Sequence, residues 1–166
     1  TNIFPLLGWP TAFDPLEEAD DLGAAIALAA ARADHQVRIA SNDKDFLQIV
    51  GPQIKMLRST PKETVVVDEA WLHERWKIQP SQVADFLALI GDAVDNIPGA
   101  PGVGEKTASS LIGQFGSVDN LLNHLGEVSR PRLQEALRGH GDQIRRNLQL
   151  IRLNTIPPLP PLDTFR

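Results

Sequence analysis

Between residues 91 and 108 the chain reads Gly-Asp-Ala-Val-Asp-Asn-Ile-Pro-Gly-Ala-Pro-Gly-Val-Gly-Glu-Lys-Thr-Ala. So many glycines and prolines beside two carboxylates leave the backbone few options. Asp92 and Asp95 stand directly before the loop, where their oxygens can hold a divalent cation. The loop through Gly99, Gly102, Val103 and Gly104 offers backbone N–H groups. It then opens a helix led by Lys106 and Thr107, and a helix start is a ready phosphate site. A metal centre beside a phosphate grip points to an enzyme acting on a nucleic-acid backbone. The plain alternatives are a solvated Asx-turn for the acids and a tight interdomain turn for the glycines.

The other acids decide how that alternative fares. Seven of them fall in three tight clusters: Glu18, Asp20 and Asp21; Asp43 and Asp45; Asp92 and Asp95. Three carboxylates in four residues repel one another unless a cation sits among them. Acids in a first helical turn also favour the helix dipole by ~0.3–1 kcal/mol, which is the bland reading of Glu18, Asp20 and Asp21. Asp43 follows a strand and can simply cap a helix; Asp45 is not needed for that. With all seven set aside, 14 of the 21 acids remain against 16 Lys and Arg, so the net charge of −5 permits an anionic partner. The chain has no Cys, so disulfides and thiolate sites are excluded, and a metal must be held by carboxylate or His. Carboxylate-only clusters suit Mg²⁺ or Mn²⁺. The four His, at 35, 73, 124 and 140, lack metal spacing and belong to the surface or ordinary packing. Trp9, Trp71 and Trp76 are expected in the core or an interface.

Hydrophobic residues make up 42% of the 166, enough for a packed core. No apolar run reaches the ~20 residues of a membrane helix, and no signal peptide is evident. The absence of Cys fits a reducing, intracellular compartment.

In chain order, residues 1–16 read as extended or loop. A helix spans about 17–32, a strand 37–41, and a short helix capped at Asn42-Asp43 runs through Phe46 and Ile49. Strands follow at 54–57 and 64–67 around a hairpin loop. Asp68 caps a helix with Trp71 and Trp76, and Gln79-Pro80 starts another through Ile90. Beyond the loop the pattern is helical: 106–114, 118–125, 130–137 and 143–150, with a break at Gly139-His140-Gly141. The Pro-rich tail at 156–161 reads as a domain end. Strand–helix alternation and then helices alone predict an α/β layer over residues 1–90 and a helical part over 91–166.

Together these residues resemble the 5′-nuclease family: the 5′→3′ exonuclease domain of bacterial DNA polymerase I and the flap endonucleases. The matching segments are Glu18-Ala19-Asp20-Asp21, Asn42-Asp43-Lys44-Asp45-Phe46-Leu47-Gln48 and the whole run 91–108. The resemblance implies a partial Rossmann-like, PIN or flap-endonuclease-like, mostly parallel sheet. An all-helical helix–hairpin–helix subdomain, SAM-fold-like, would follow. It implies that Glu18, Asp20 and Asp21 serve a first metal ion, that Asp43 and Asp45 lie between the ions or near the second, and that Asp92 and Asp95 serve the second. Residues 99–108 would grip the duplex backbone, often with a K⁺ ion, with Lys44 also on the DNA. The implied reaction is structure-dependent hydrolysis of DNA phosphodiester bonds with two Mg²⁺ or Mn²⁺ ions, in replication and repair. A fused or separate DNA polymerase is the implied partner. The family's N-terminal strand with its Asp ligand, and its basic arch, have no counterpart here, so the piece alone is expected to be weak or inactive. Two competing readings are a non-catalytic branched-DNA binding module and a Mg²⁺-dependent phosphatase; the latter leaves the loop unexplained.

Overall fold

The computed structural model describes residues 7–155, which divide into two compact units: residues 7–66 with 153–155, and residues 67–152. The Pro-rich tail at 156–161 lies outside the described residues.

The first unit is built on helix α1 (Ala19–Arg32), strand β1 (Val37–Ala40), a 3₁₀ helix (Lys44–Ile49), and strands β2 (Ile54–Ser59) and β3 (Thr64–Val67). Helix α1 is alanine-rich, which favours the helix intrinsically. It buries Leu22, Ala24, Ala25 and Ala27, carries Asp20 and Asp21 in its first turn, and ends with Arg32. Both charge placements suit its dipole. Its face is close to the 3₁₀ helix: a Cβ on Gly23 would stand 3.2 Å from the Phe46 ring, so only glycine fits without displacing that ring. Strands β1 and β2 pair in parallel, Val37 opposite Ile54 through Ala40 opposite Leu57. The sheet order is β1-β2-β3. The turn into β3 is closed by Thr60, whose N–H donates to the Glu63 carbonyl (2.9 Å) and whose Oγ1 donates to it as well (2.8 Å). After the helical unit the chain returns here, and Asn154 N–H donates to Asp21 Oδ1 at 2.7 Å.

The second unit contains α2 (Glu69–Trp76), a 3₁₀ turn (Pro80–Gln82), α3 (Val83–Ile90), the short strands β4 (Gly91–Asp92) and β5 (Ile97–Pro98), α4 (Glu105–Phe115), α5 (Val118–Asn123), a 3₁₀ turn (Leu125–Glu127), α6 (Pro131–Gly139) and α7 (Gly141–Ile151). The caps follow the sequence. Asp68 accepts from Trp71 N–H, and Ser117 accepts from Asn120 N–H. Helix α3 is buried from Val83 to Leu89 and packs against α4, α5 and α7. Trp76 stacks on Phe86 with ring centroids 4.6 Å apart.

The packing boundary falls between Val66 and Val67, and α3, buried from Val83 to Leu89, packs among the helices of the second unit. Three features depart from the sequence reading. Residues 91–98 are not an open loop but a two-rung antiparallel hairpin, Gly91 opposite Pro98 and Asp92 opposite Ile97. The break between α6 and α7 is His140 alone, since both flanking glycines are helical. Trp76 is buried, but Trp9 is 61% exposed.

One buried acid sets a pH dependence. Asp85 lies inside the unit and accepts from Val118 N–H at 2.7 Å. Burial raises its pKa above the ordinary value; the Val118 N–H and the Arg152 charge act against that rise, and Asp119 adds to it. The folded state therefore keeps the Asp85 proton after the unfolded chain has lost it. Stability falls as pH rises from about 3.9 through the raised value. Asp85→Asn keeps an acceptor for Val118 and removes the titration. Urea midpoints across pH 3–7 are expected to show a flatter profile for the variant, with its relative gain at the upper end.

Candidate metal and phosphate site

The β4–β5 hairpin presents the two acids that the sequence singled out. Asp92 is buried, and its Oδ1 accepts from Val94 N–H at 2.9 Å, an Asx-turn that starts the hairpin tip. Asp95 is exposed at that tip, and Asn96 after it takes a left-handed φ of 56°. Glycines set the closeness of the two strands. A Cβ on Gly99 would overlap the Ile90 carbonyl, and one on Gly91, at φ 76°, would overlap Gly99 N and the Ile97 carbonyl.

Helix α7 holds the base of the hairpin. Asn147 is buried, and its Nδ2 donates to the Ala88 carbonyl (3.1 Å) and the Pro98 carbonyl (2.8 Å). Gln143 Nε2 donates to the same Pro98 carbonyl at 2.8 Å. One side-chain amide thus ties the chain entering the hairpin to the chain leaving it. The sequence reading missed this latch. Its signal was present: Asn147 is the polar residue among Ile144, Leu148 and Ile151 on the buried face of α7.

The loop after the hairpin spends part of its backbone on itself. Ala100 N–H donates to the Leu89 carbonyl (2.8 Å) and Val103 N–H to the Ala100 carbonyl (3.1 Å). The Val103 side chain is buried. Gly99 and Val103 therefore shape the loop. Gly102, with φ 75°, and Gly104 have open space around them. Gly104 is the N-cap of α4 and supplies no side-chain cap, so the first-turn N–H groups of an 11-residue helix point outward. Lys106 is exposed and Thr107 half-buried in that turn. Two cations join them that the sequence reading did not name. Arg75 reaches Glu105 at 3.4 Å, and Arg130 Nη2 donates to Thr107 Oγ1 at 3.4 Å.

In the first unit, Glu18 caps α1 without a side-chain bond. Asp20 Oδ1 accepts from Asp21 N–H at 3.0 Å, and Asp21 Oδ1 from Asn154. Asp43 caps the 3₁₀ helix by accepting from Asp45 N–H at 3.0 Å, with Lys44 between them and half-buried. Asp43 follows β1 at its carboxyl end, where ligands of parallel sheets bind.

Among the described residues no group of three or more His or carboxylate side chains is arranged to hold a metal ion. Four of the seven acids give an oxygen to a backbone N–H, Asp21 to that of Asn154. The donor chemistry still fits a hard divalent cation, since every candidate is a carboxylate and each has a second oxygen. Also among the described residues, no helix is long and apolar enough to cross a membrane.

Comparison with known proteins covers the whole chain. Residues 1–77 match the family model of the 5′-3′ exonuclease N-terminal resolvase-like domain, and residues 78–166 that of the 5′-3′ exonuclease C-terminal SAM fold. The thermostable DNA polymerase I of Thermus thermophilus is 38% identical over 158 residues, which are 95% of this chain and 19% of that protein. DNA polymerase I of Bacillus subtilis is 35% identical over 144 residues, 86% of this chain and 16% of that protein. The chain thus spans about a fifth or less of the curated relatives it matches. Among solved structures, a T5 5′-exonuclease with divalent zinc ions bound superposes with a TM-score of 0.79 at 26% identity, over 92% of this chain and 56% of that one. A bacteriophage T5 flap endonuclease in complex with DNA and metal ions gives 0.72 at 26% identity, over 83% and 50%.

Proposed function

The chain belongs to the 5′-3′ exonuclease family, and from that premise we propose that it serves structure-dependent 5′→3′ exonuclease and flap-endonuclease hydrolysis of DNA in replication and repair, including removal of Okazaki primers. The observation that carries this reading is the glycine-locked hairpin with Asp92 and Asp95, placed directly before the uncapped start of α4.

Glu18, Asp20, Asp21, Asp43, Asp45, Asp92 and Asp95 are the proposed donors to two Mg²⁺ or Mn²⁺ ions. Bound there, such ions supply an activated water and stabilise the leaving oxygen. The chain's own part is positioning. Gly102 and Gly104 let a phosphate approach the backbone, and the first-turn N–H groups of α4 donate to it. Lys106, Thr107 and Lys44 add charge and hydrogen bonds. Contacts of this kind grip the backbone and carry no base sequence. A K⁺ ion at the loop belongs to the same proposal. So does a DNA polymerase, fused or separate, that acts on the processed strand.

A second reading, a non-catalytic branched-DNA binding module of the same fold, is favoured by one observation: the missing three-donor group among the described residues. Calorimetric titration with Mn²⁺ separates the two. The nuclease reading expects saturable binding that Asp20→Asn with Asp21→Asn weakens by about 10-fold or more, since each removes a charged ligand. Flap-DNA binding with no carboxylate-dependent Mn²⁺ uptake would establish the module instead.

A further inference from the structure

The chain is acidic overall, yet residues 130–152 hold six Arg, no Lys and only two acids, Glu135 and Asp142. That segment carries +4 in a chain of −5, so the remainder carries −9. All six guanidinium-bearing residues, Arg130, Arg132, Arg138, Arg145, Arg146 and Arg152, are exposed. Like charges on two short helices separated by one residue repel one another. Helices α6 and α7 are already anchored by Leu133, Leu137, Ile144 and Leu148.

We propose that the cleft where α6 meets α7, carrying Arg138 and Arg145, is a second contact surface for the phosphate backbone of duplex DNA, separate from the loop before α4. Arg138 and Arg145 line one cleft of about 220 Å³ floored by Leu122, Leu125 and Leu137. Helix α7 starts at this cleft without a side-chain cap. Arg145 does face acids, Asp119 at 3.7 Å and Asp142 at 3.6 Å, but both pairs are long and exposed. Such pairs contribute little and are readily exchanged for a phosphate. The guanidinium fork matches phosphate geometry bidentately, which explains a patch made of Arg alone. Arg130, at the other end of α6, bonds Thr107 in the first turn of α4 and belongs to the first surface. A duplex is the occupant that fits, because a polyanion with regularly spaced charges can meet both surfaces at once.

The inference rests on the proposed function, and the test separates the two. A fluorescein-labelled 5′-flap duplex is titrated with protein in EDTA from 50 to 200 mM KCl, and anisotropy gives affinity at each salt. Arg138→Gln with Arg145→Gln is expected to reduce the slope of log affinity against log salt by about one per arginine. Affinity at 100 mM KCl should fall about 10-fold or more. Both side chains are exposed, so circular dichroism should be unchanged. A wild-type slope and affinity in the double variant overturn the arginine surface and leave the nuclease reading standing. No binding of the duplex by the wild-type protein overturns both.

Discussion

Converting Asp92 and Asp95 together to asparagine is expected to lower 5′-flap cleavage by the full-length protein about 10³-fold or more, with little change in stability. Asparagine keeps the volume of each side chain. At position 92 it also keeps an oxygen for the Val94 N–H, so the turn that begins the hairpin tip survives. The negative charge is what goes. Charge stabilisation of a phosphoryl transition state by a carboxylate-held cation is worth several kcal/mol, which is about 10³-fold in rate. Flap-DNA affinity should hold or rise, because two anions are removed near phosphates. The informative pattern is a collapse of turnover with intact binding and a melting temperature within a few degrees of wild type. A double variant that cuts at the normal rate would remove this acid pair from the chemistry, whatever else the family implies.

The largest effect on stability is expected at Gly99 and Gly91. In both cases an added methyl group meets backbone atoms, which cannot rotate away as a side chain could. At Gly91 the positive φ of 76° adds its own cost for any residue with a Cβ. Gly99→Ala and Gly91→Ala should each lose about 3 kcal/mol or more, the upper range of overpacking, and the hairpin should open. Gly102→Ala makes a contrast within the same loop. Its φ is 75° but no atom lies within 4 Å, so only the backbone term of about 1 kcal/mol applies. Gly104→Ala has neither penalty and should be close to neutral for folding. Urea denaturation of the four variants gives the order directly. Equal midpoints for Gly99→Ala and Gly104→Ala would show that the hairpin is not held as tightly as its geometry indicates.

Gly102 and Gly104 thereby become the clean probes of the phosphate role. Their substitution leaves the fold almost intact while adding bulk where a backbone oxygen would approach. A loss of DNA affinity in Gly104→Ala could not be blamed on unfolding. The same loss in Gly99→Ala could.

The amino-acid order was sufficient for every element that is fixed by its neighbours along the chain. Asp43 and Asp68 cap where short polar residues precede apolar runs, and each accepts the expected N–H. The run at 91–108 announced acids, a glycine loop and a helix start, and all three are where they were read. Such signals act through residues two to four positions apart, so they survive without tertiary context. The identity of the candidate donors was legible for the same reason: carboxylates in clusters cost energy unless something offsets them.

Tertiary structure decided what depends on partners distant in the chain. It placed the unit boundary at Val66 and Val67, and it buried α3 from Val83 to Leu89, Asp85 included, so no exposed stripe names that helix's neighbours. It gave Asn147 its function, because the Ala88 and Pro98 carbonyls lie 59 and 49 residues away. It also turned Asp21 toward Asn154, 133 residues on, and so left part of that carboxylate committed. The physical reason is common to all three. A hydrogen bond or a packed face is chosen by whichever group the folded chain brings near, and proximity in space is not written in local order.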